Sequence, residues 1–397
     1  MSEFTNFEPM FQETYKFILD RIKSNQIYIM DEESRRGRLC WIKLVVNILA
    51  AISHTAGVLE RIGQGADLVQ LSTDLSAALI LWQASLLYIQ LCLNRKLLKN
   101  FLVHMGLNWR TDDQLRPDMV AVKHEYVTTF LRWISVFYKA VNTYLFLYLM
   151  PRLAYTAVKH FILKDSVTFV TPFYVKMPFK FDDNFLLYSL VYLADSKILQ
   201  DVGYLVTFDL LFMNAALHHL RVMFVMLQDD LRHVHEESVE QAQNTLRKII
   251  PLHQDLLRLM FELSDAFGAI FIIHLAFFSG TMCFFGFAAR IHCSPESIKN
   301  LFAANIILVC IYTCCYYGQN LTDASVDIAQ AAYESQWHLK SQEYKKCILI
   351  IMLRSQKAQY IKSTSFSDVS LETFTKVLNA DVWRDATCVF KRLNYSL

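Results

Sequence analysis

Between Asp265 and Arg290 the chain reads AFGAIFIIHLAFFSGTMCFFGFAA, residues 266–289, without a single charged side chain. A helix rises about 1.5 Å per residue and the hydrocarbon core of a bilayer is about 30 Å thick, so roughly 20 such residues cross it. A surface helix of a soluble domain keeps one polar face, and this stretch has none. Two further uncharged stretches have the same character: LFAANIILVCIYTCCYYG (301–318) and LSAALILWQASLLYIQLCLN (75–94). Leu39 to Leu59 is a fourth, interrupted by Lys43 near its end, where a long cationic side chain can snorkel.

Working outward from these, two more stretches read as spans that carry charge. Val127 to Tyr155 includes Arg132 and Lys139 but ends in AVNTYLFLYLMP. Asn184 to Leu220 is apolar with Asp195, Lys197, Asp201 and Asp209 spaced along it. Charges inside a span face a bundle interior or a wet cavity; from Asp209 onward, a long helix leaving the bilayer accounts for them equally, and that reading is preferred. Ser370 to Phe390 is the least apolar candidate and completes seven. The expected fold is an all-α membrane protein of seven transmembrane helices.

The whole composition agrees. The 397-residue chain is 54% hydrophobic and only 19% charged, against about 25% charged for ordinary soluble domains. It holds 10 Gly and 7 Pro and no linker-like run, which favours long helices. A net charge of +2, with no basic patch interleaved by aromatics, argues against a nucleic-acid partner. None of the nine cysteines forms a CxxC pair, so neither a metal nor a redox cofactor is expected. Residues 1–38 are polar and charged, and no cleavable signal peptide is expected there.

Loop charges set the orientation. Lys and Arg number six before Leu39, six between Arg95 and Lys123, and six between Lys340 and Lys362. The alternate connections hold Arg61 alone, four Lys offset by Asp165, Asp182 and Asp183, and Arg290 with Lys299. By the positive-inside rule the N-terminus is cytoplasmic, and seven spans put the C-terminus outside. A G-protein-coupled receptor has the opposite topology, and its usual span-7 proline motif and loop disulfide are missing. A membrane transferase would need a polar catalytic cluster, and only HVHEE (233–237) comes near; His233 and His235 at i, i+2 do not share a helix face. Residues 229–263 and 322–361 are charged yet keep apolar side chains at helical spacing, such as Leu252, Leu256, Leu259 and Leu263, so the helices are expected to extend into a cytoplasmic layer. The connection with Pro172 and Pro178 reads as an ordered extracellular cap.

The stretch AAYESQWHLKSQEYKKCILIIMLRSQKAQYIKSTSFSDVSLETFTKVL (331–378) resembles the insect odorant receptors, through Tyr333 with Trp337, the R-x-Q-K cluster at Arg354 to Lys357, and the V-S-L-x-x-F-x-x-V-L run from Val369. Weaker likeness extends upstream to MPFKFD (177–182), DLLF (209–212) with His219 and Leu220, and Pro251 to Gln254. The resemblance implies a subunit of a heteromeric, ligand-gated, non-selective cation channel in the plasma membrane of a sensory neuron dendrite. The channel is built with co-receptor subunits, as a tetramer, and opened by a volatile organic odorant. The short connection at Gln228 to Pro251 resembles the odour-tuning subunit rather than the co-receptor. Other seven-helix chemoreceptors, a gustatory-type channel or a G-protein-coupled receptor, are the alternative. The family layout implies three parts: residues 1–330 with an odorant-binding bundle in the outer half, 331–365 as a cytoplasmic anchor helix, and 366–397 as a pore-lining helix and extracellular tail.

Site residues follow from the same layout. An odour pocket needs apolar and aromatic side chains converging from several helices, with one or two hydrogen-bonding groups. The outer-half candidates are Leu71, Leu75, Thr143, Phe146, Met150, Tyr188, Tyr192, His274, Phe278, Asn305 and Leu308; aromatics at helical spacing also serve interhelix packing, and His274 can equally pair with a neighbour. Tyr333, Trp337, Arg354 and Lys357 are the expected subunit anchor. The tail departs from the family's apolar pattern in NADVWRDATCVFKRLNYSL (379–397), so that Asp381, Arg384, Asp385 and Thr387 fall where the pore is expected. Asp381 and Asp385 would share a helix face, at a cation path or at the exposed outer mouth.

Overall fold

The computed structural model describes residues 7–30, 34–162, 169, 171–181, 184–234, 239–291, 295–362 and 368–379. Ten α-helices run through them: α1 (Pro9–Ser24), α2 (Ser34–Gly63), α3 (Leu68–Leu93), α4 (Arg95–Asn108), α5 (Pro117–Phe161), α6 (Phe185–His233), α7 (Val239–Ile291), α8 (Pro295–Glu334), α9 (Gln342–Ser355) and α10 (Leu371–Asn379). Among the described residues the one β-type pairing is an isolated bridge between Lys362 and Asp368. The all-helical expectation holds.

Five described helical segments are long and apolar enough to cross a membrane: Cys40–Gly63, Leu68–Leu93, Phe185–His233, Gln241–Ala288 and Ser297–Glu334. Helix α5 is long enough at 45 residues but less apolar. The seventh expected span is described only to Asn379, and Asp381, Arg384, Asp385 and Thr387 lie outside the described residues. Helices α6 and α7, of 49 and 53 residues, extend about 75 Å. A bilayer core takes about 30 Å of that, so both continue well past the membrane at one end.

One of the two charge-bearing spans, α6, is the centre of the bundle. Every side chain of α6 from Leu205 to Leu220 is buried, and the helix packs against α1, α3, α5, α7 and α8. A helix buried on all faces has to be apolar on all faces, and its few polar groups must find partners. Asp209 does so inside the bundle, with Nε2 of His274 3.1 Å from its Oδ2. Asp209 is thus accounted for by a partner within the bundle, whether or not the helix has left the bilayer at that point.

The polar N-terminal segment and the connection after α3 are both partly helical. Helix α1 turns Phe11, Tyr15, Ile18 and Ile22 toward α6, apolar positions at i, i+4, i+7 and i+11. Helix α4 buries Leu98, Phe101, Leu102 and Met105 on one face, mainly against α7. Glu8 caps α1 by accepting from the Phe11 amide at 3.2 Å, and its carboxylate also accepts from Trp109 Nε1 at 3.1 Å. Lys123 on α5 is fully buried, reaching Glu8 at 3.4 Å, Asp112 at 2.8 Å and the Arg110 carbonyl at 2.9 Å. One buried cation so ties the start of α1 to the α4–α5 connection. The Lys123 ammonium beside Asp112, with His124 on its other oxygen, holds the Asp112 carboxyl below its ordinary range.

The two ends of the bundle differ. At one end residues 171–178 cap the helices: Ser53 Oγ donates to the Lys176 carbonyl at 2.5 Å and the Lys176 amide donates back to Ser53 at 3.3 Å. Gly57 makes room for this, since a Cβ there would lie 2.9 Å from the Tyr174 ring and carbonyl. At the opposite end, the base, α9 packs on α8 and α7 through Tyr344, Ile348 and Ile351. Its other face leaves Ile350 and Leu353 exposed. Tyr333 is exposed beside it, Trp337 is half-buried against the core, Arg354 donates to Gln359 at 2.7 Å, and Lys357 is exposed.

Candidate ligand-binding cavity

Toward the capped end the helices spread enough to leave an apolar cavity of about 130 Å³. Six segments that are far apart in sequence supply its wall: Ala77 and Ile80 of α3, Val141, Tyr144, Leu145, Tyr148 and Leu149 of α5, and Phe173 of the cap; then Leu199, Gly203, Val206 and Thr207 of α6, Phe278 and Phe285 of α7, and Ala303, Ile306, Ile307 and Cys310 of α8. The spacing on α5 is helical, at i, i+3, i+4, i+7 and i+8, so one stripe of that helix forms one wall. Gly203 widens the space, because a Cβ there would come within 3.2 Å of Leu145 Cδ1. Tyr144, Tyr148, Thr207 and Cys310 are the lining residues that carry a polar side-chain group.

This arrangement suits an uncharged, mostly hydrocarbon molecule. An engineered cavity of about 150 Å³ lined by Leu, Ile and Phe stays dry and takes up benzene, so the volume here is on the scale of a single small ring or short alkyl chain. Burying apolar ligand surface yields about 25 cal/mol per Å², and one of those polar groups can orient a polar substituent.

Of the residues expected to line a pocket, Phe278 is on the cavity wall. Leu71, Leu75, Met150 and Leu308 are buried or half-buried near it without forming the wall. Thr143 and Phe146 point away from the bundle, Phe146 with 62% of its surface exposed, because the neighbouring positions Val141, Leu145 and Leu149 take the inward stripe of α5. Asn305 likewise faces outward and donates to its own helix at the Leu301 carbonyl. Tyr188 and Tyr192 are buried at the α5–α6 contact instead, where Tyr192 donates to the Leu149 carbonyl at 2.5 Å. His274 takes the structural role weighed for it: Gln83 Nε2 lies 3.0 Å from its Nδ1 and Asp209 lies on Nε2. The neutral tautomer with Nε2–H donating to the carboxylate satisfies both contacts.

Sequence reasoning missed most of the wall. Val141, Leu145 and Gly203 carry no chemistry that marks them, and only the rotation of α5 and α6 selects them. It also missed a polar cluster one turn nearer the cap. Arg61, Asp74, Arg152, Lys299 and Asn300 line a second cavity of about 160 Å³ that shares Tyr148 with the first. Asp74 accepts from Arg61 at 2.8 Å and from the Tyr174 amide at 2.9 Å. A buried pair also joins α2 to α6, His54 Nε2 to Asp195 Oδ1 at 2.9 Å.

Comparison with known proteins places this architecture. A family profile described as 7tm Odorant receptor matches residues 67–382. Odorant receptor 85b of Drosophila melanogaster is 28% identical over 209 residues, 52% of this chain and 53% of the relative. The Odorant receptor coreceptor of Harpegnathos saltator is 28% identical over 147 residues, 36% of this chain and 30% of that one. The chain thus spans about half the length of the curated relatives it matches. In structure, the insect olfactory receptor OR5 from Machilis hrabei in complex with eugenol superposes with a TM-score of 0.77 at 13% identity, over 96% of this chain and 99% of that one. The fold is shared.

Proposed function

From a chain that belongs to the 7tm odorant receptor family, we propose an odour-tuning subunit of a heteromeric, ligand-gated, non-selective cation channel. A small volatile molecule enters the apolar cavity at the capped end, and its binding favours the open arrangement of the assembly. The single observation that carries this reading is the 130 Å³ cavity, walled by all of α3, α5, α6, α7 and α8. A molecule held there touches five helices that pack on one another, so its binding is sensitive to their relative positions. It shifts a closed–open balance by its differential affinity for the two arrangements. The solved structure that this chain superposes on likewise holds an aromatic, eugenol.

The orientation is that of the loop charges: base and N-terminus in the cytoplasm, cap outside, in the plasma membrane. The partner is an odorant co-receptor, and assembly uses the base, where Ile350, Leu353 and Tyr333 present apolar surface to an aqueous compartment in which the hydrophobic effect operates in full.

Whole-cell current in cells expressing this chain with and without an insect odorant co-receptor tests the reading. The expected result is a rapid cation current, evoked by small aromatic or short-chain volatiles, only in the co-expressing cells and insensitive to G-protein blockade. Current that requires a G protein, or none across a broad panel despite surface expression, overturns it.

A further inference from the structure

The polar cavity nearest the cap has an unbalanced charge. Three cations line it, Arg61, Arg152 and Lys299, and among the described residues Asp74 is the one carboxylate that does. Asp74 is already occupied, with Arg61 on one oxygen and the Tyr174 amide on the other. Arg61 is further fixed by stacking on the Tyr174 ring, its guanidinium carbon 4.5 Å from the centroid. Among the described residues Arg152 and Lys299 form no ion pair: Asp74 feels the charge of Arg152 but is hydrogen-bonded elsewhere, both cations are half-buried, and Lys299 sits 5.9 Å over the Tyr148 ring. Two cations held in a semi-enclosed, polar-walled space favour an anion. An arginine fork beside a lysine point charge is suited to a planar carboxylate.

The position of this cavity gives the rest of the ligand. On α3 it is lined by Thr73 and Asp74 where the apolar cavity has Ala77; on α8 by Lys299 and Asn300 where the apolar cavity has Ala303; on α5 by Arg152 above Tyr148, which lines both. The two spaces are therefore stacked one helical turn apart on three helices. From Arg152 to Leu145 is seven residues, about 10 Å along the helix.

We propose that the two cavities form one amphiphile site, in which Arg152 and Lys299 hold the carboxylate of a small organic acid whose ring or short alkyl tail lies in the apolar cavity beneath. The inference rests on the ligand-binding reading of the apolar cavity and adds the chemical class it prefers. A monocarboxylate with a six- to eight-carbon skeleton spans both spaces. At neutral pH such an acid is ionised, and its matched alcohol can fill the lower cavity without engaging the two cations.

The test uses matched pairs, phenylacetate against 2-phenylethanol and hexanoate against 1-hexanol. Each is read twice: as binding to the purified complex of full-length chains by isothermal calorimetry, and as current in co-expressing cells. In the Arg152→Gln/Lys299→Gln variant, acid affinity is expected to fall at least ten-fold relative to alcohol affinity, and Arg152→Lys is expected to retain most of the acid preference. If the double variant does not reach the surface, Lys299→Gln alone carries the comparison, with a fall of three-fold or more. An equal loss for acid and alcohol, or acids that do not bind the unaltered complex while alcohols do, overturns the inference and leaves the channel reading standing. Charge-dependent acid binding without any current leaves the inference standing and overturns the channel reading. If nothing binds, both fall.

Discussion

His274 of α7 and Asp209 of α6 meet at 3.1 Å, Nε2 to Oδ2, with both side chains buried and Gln83 of α3 closing the other ring nitrogen at 3.0 Å. One polar chain so joins three helices in the middle of an apolar bundle. Asp209→Ala leaves the imidazole without its acceptor, and breaking a buried pair costs about 3–5 kcal/mol. The melting temperature of the purified chain in detergent is expected to drop clearly. Asp209→Leu with His274→Phe, which removes both polar groups, is expected to regain more than half of the drop. Equal melting temperatures for the single and double variants would mean that the pair is not what holds α6 to α7.

The cavity makes a size prediction. Ala77 is buried on its wall, and Ala77→Leu extends a side chain into a space of about 130 Å³. Sensitivity to ring-sized ligands is expected to fall on the order of 10–100-fold, the range that one misplaced group commands in an apolar pocket. Phe278→Ala works in the other direction, enlarging the space and moving the preference toward bulkier ligands. Dose–response curves over a homologous series measure both.

Gly318 on α8 lies against the backbone of Val369, so close that a Cβ would run into the Val369 carbonyl. Gly318→Ala is expected to push residues 368–370 off α8. Hydrogen exchange should then speed up at the Val369 amide, which donates to Ile361 at 3.0 Å, and at the Phe374 amide, which donates to Ser370 at 3.2 Å. Peptides covering the cavity wall should exchange unchanged. No change near 368–374 would show that the segment has room to spare.

Asp112 gives a pH dependence outside the bilayer. Its carboxyl is lowered, first by the hydrogen bond from Lys123 and then by that from His124. A carboxyl lowered on folding contributes stability that is complete above its unfolded value of about 3.9 and disappears as pH falls through its folded value. Asp112→Asn is therefore expected to melt below the unaltered chain at pH 7 and to converge with it once the pH has fallen through the lowered folded value. With Asp112 about 42% exposed, solvent screens the pair and the gap at pH 7 is expected to be modest. A gap that is unchanged at low pH would point to the amide's packing rather than to charge.

Much of this architecture was legible in the residues. The runs at 266–289, 301–318 and 75–94 are uncharged, and helices α7, α8 and α3 cover them. The motif block at 331–378 pointed to the family whose profile spans 67–382. The N-terminal helix α1 was legible in principle, since Phe11, Tyr15, Ile18 and Ile22 repeat at helical spacing, but its polar composition hid it. The ligand cavity was legible only in kind. Its wall was expected to be apolar side chains from several helices; of the residues named, Phe278 lines the cavity, while Thr143, Phe146 and Asn305 lie on the outward faces of the same helices.

Hydropathy belongs to a window of neighbouring residues, so the amino-acid sequence alone determined that this chain is a bundle of long apolar helices, and the charges between them suggested which way it faces. Which side of each helix looks inward is different. In a bilayer all faces of a helix are apolar, so no polar side marks the surface; rotation is decided by close packing against helices distant in sequence. Only the tertiary structure could therefore turn Val141, Leu145 and Leu149 toward Gly203 and Phe278, set Asp209 on His274, and gather Arg61, Arg152 and Lys299 around one cavity with Asp74.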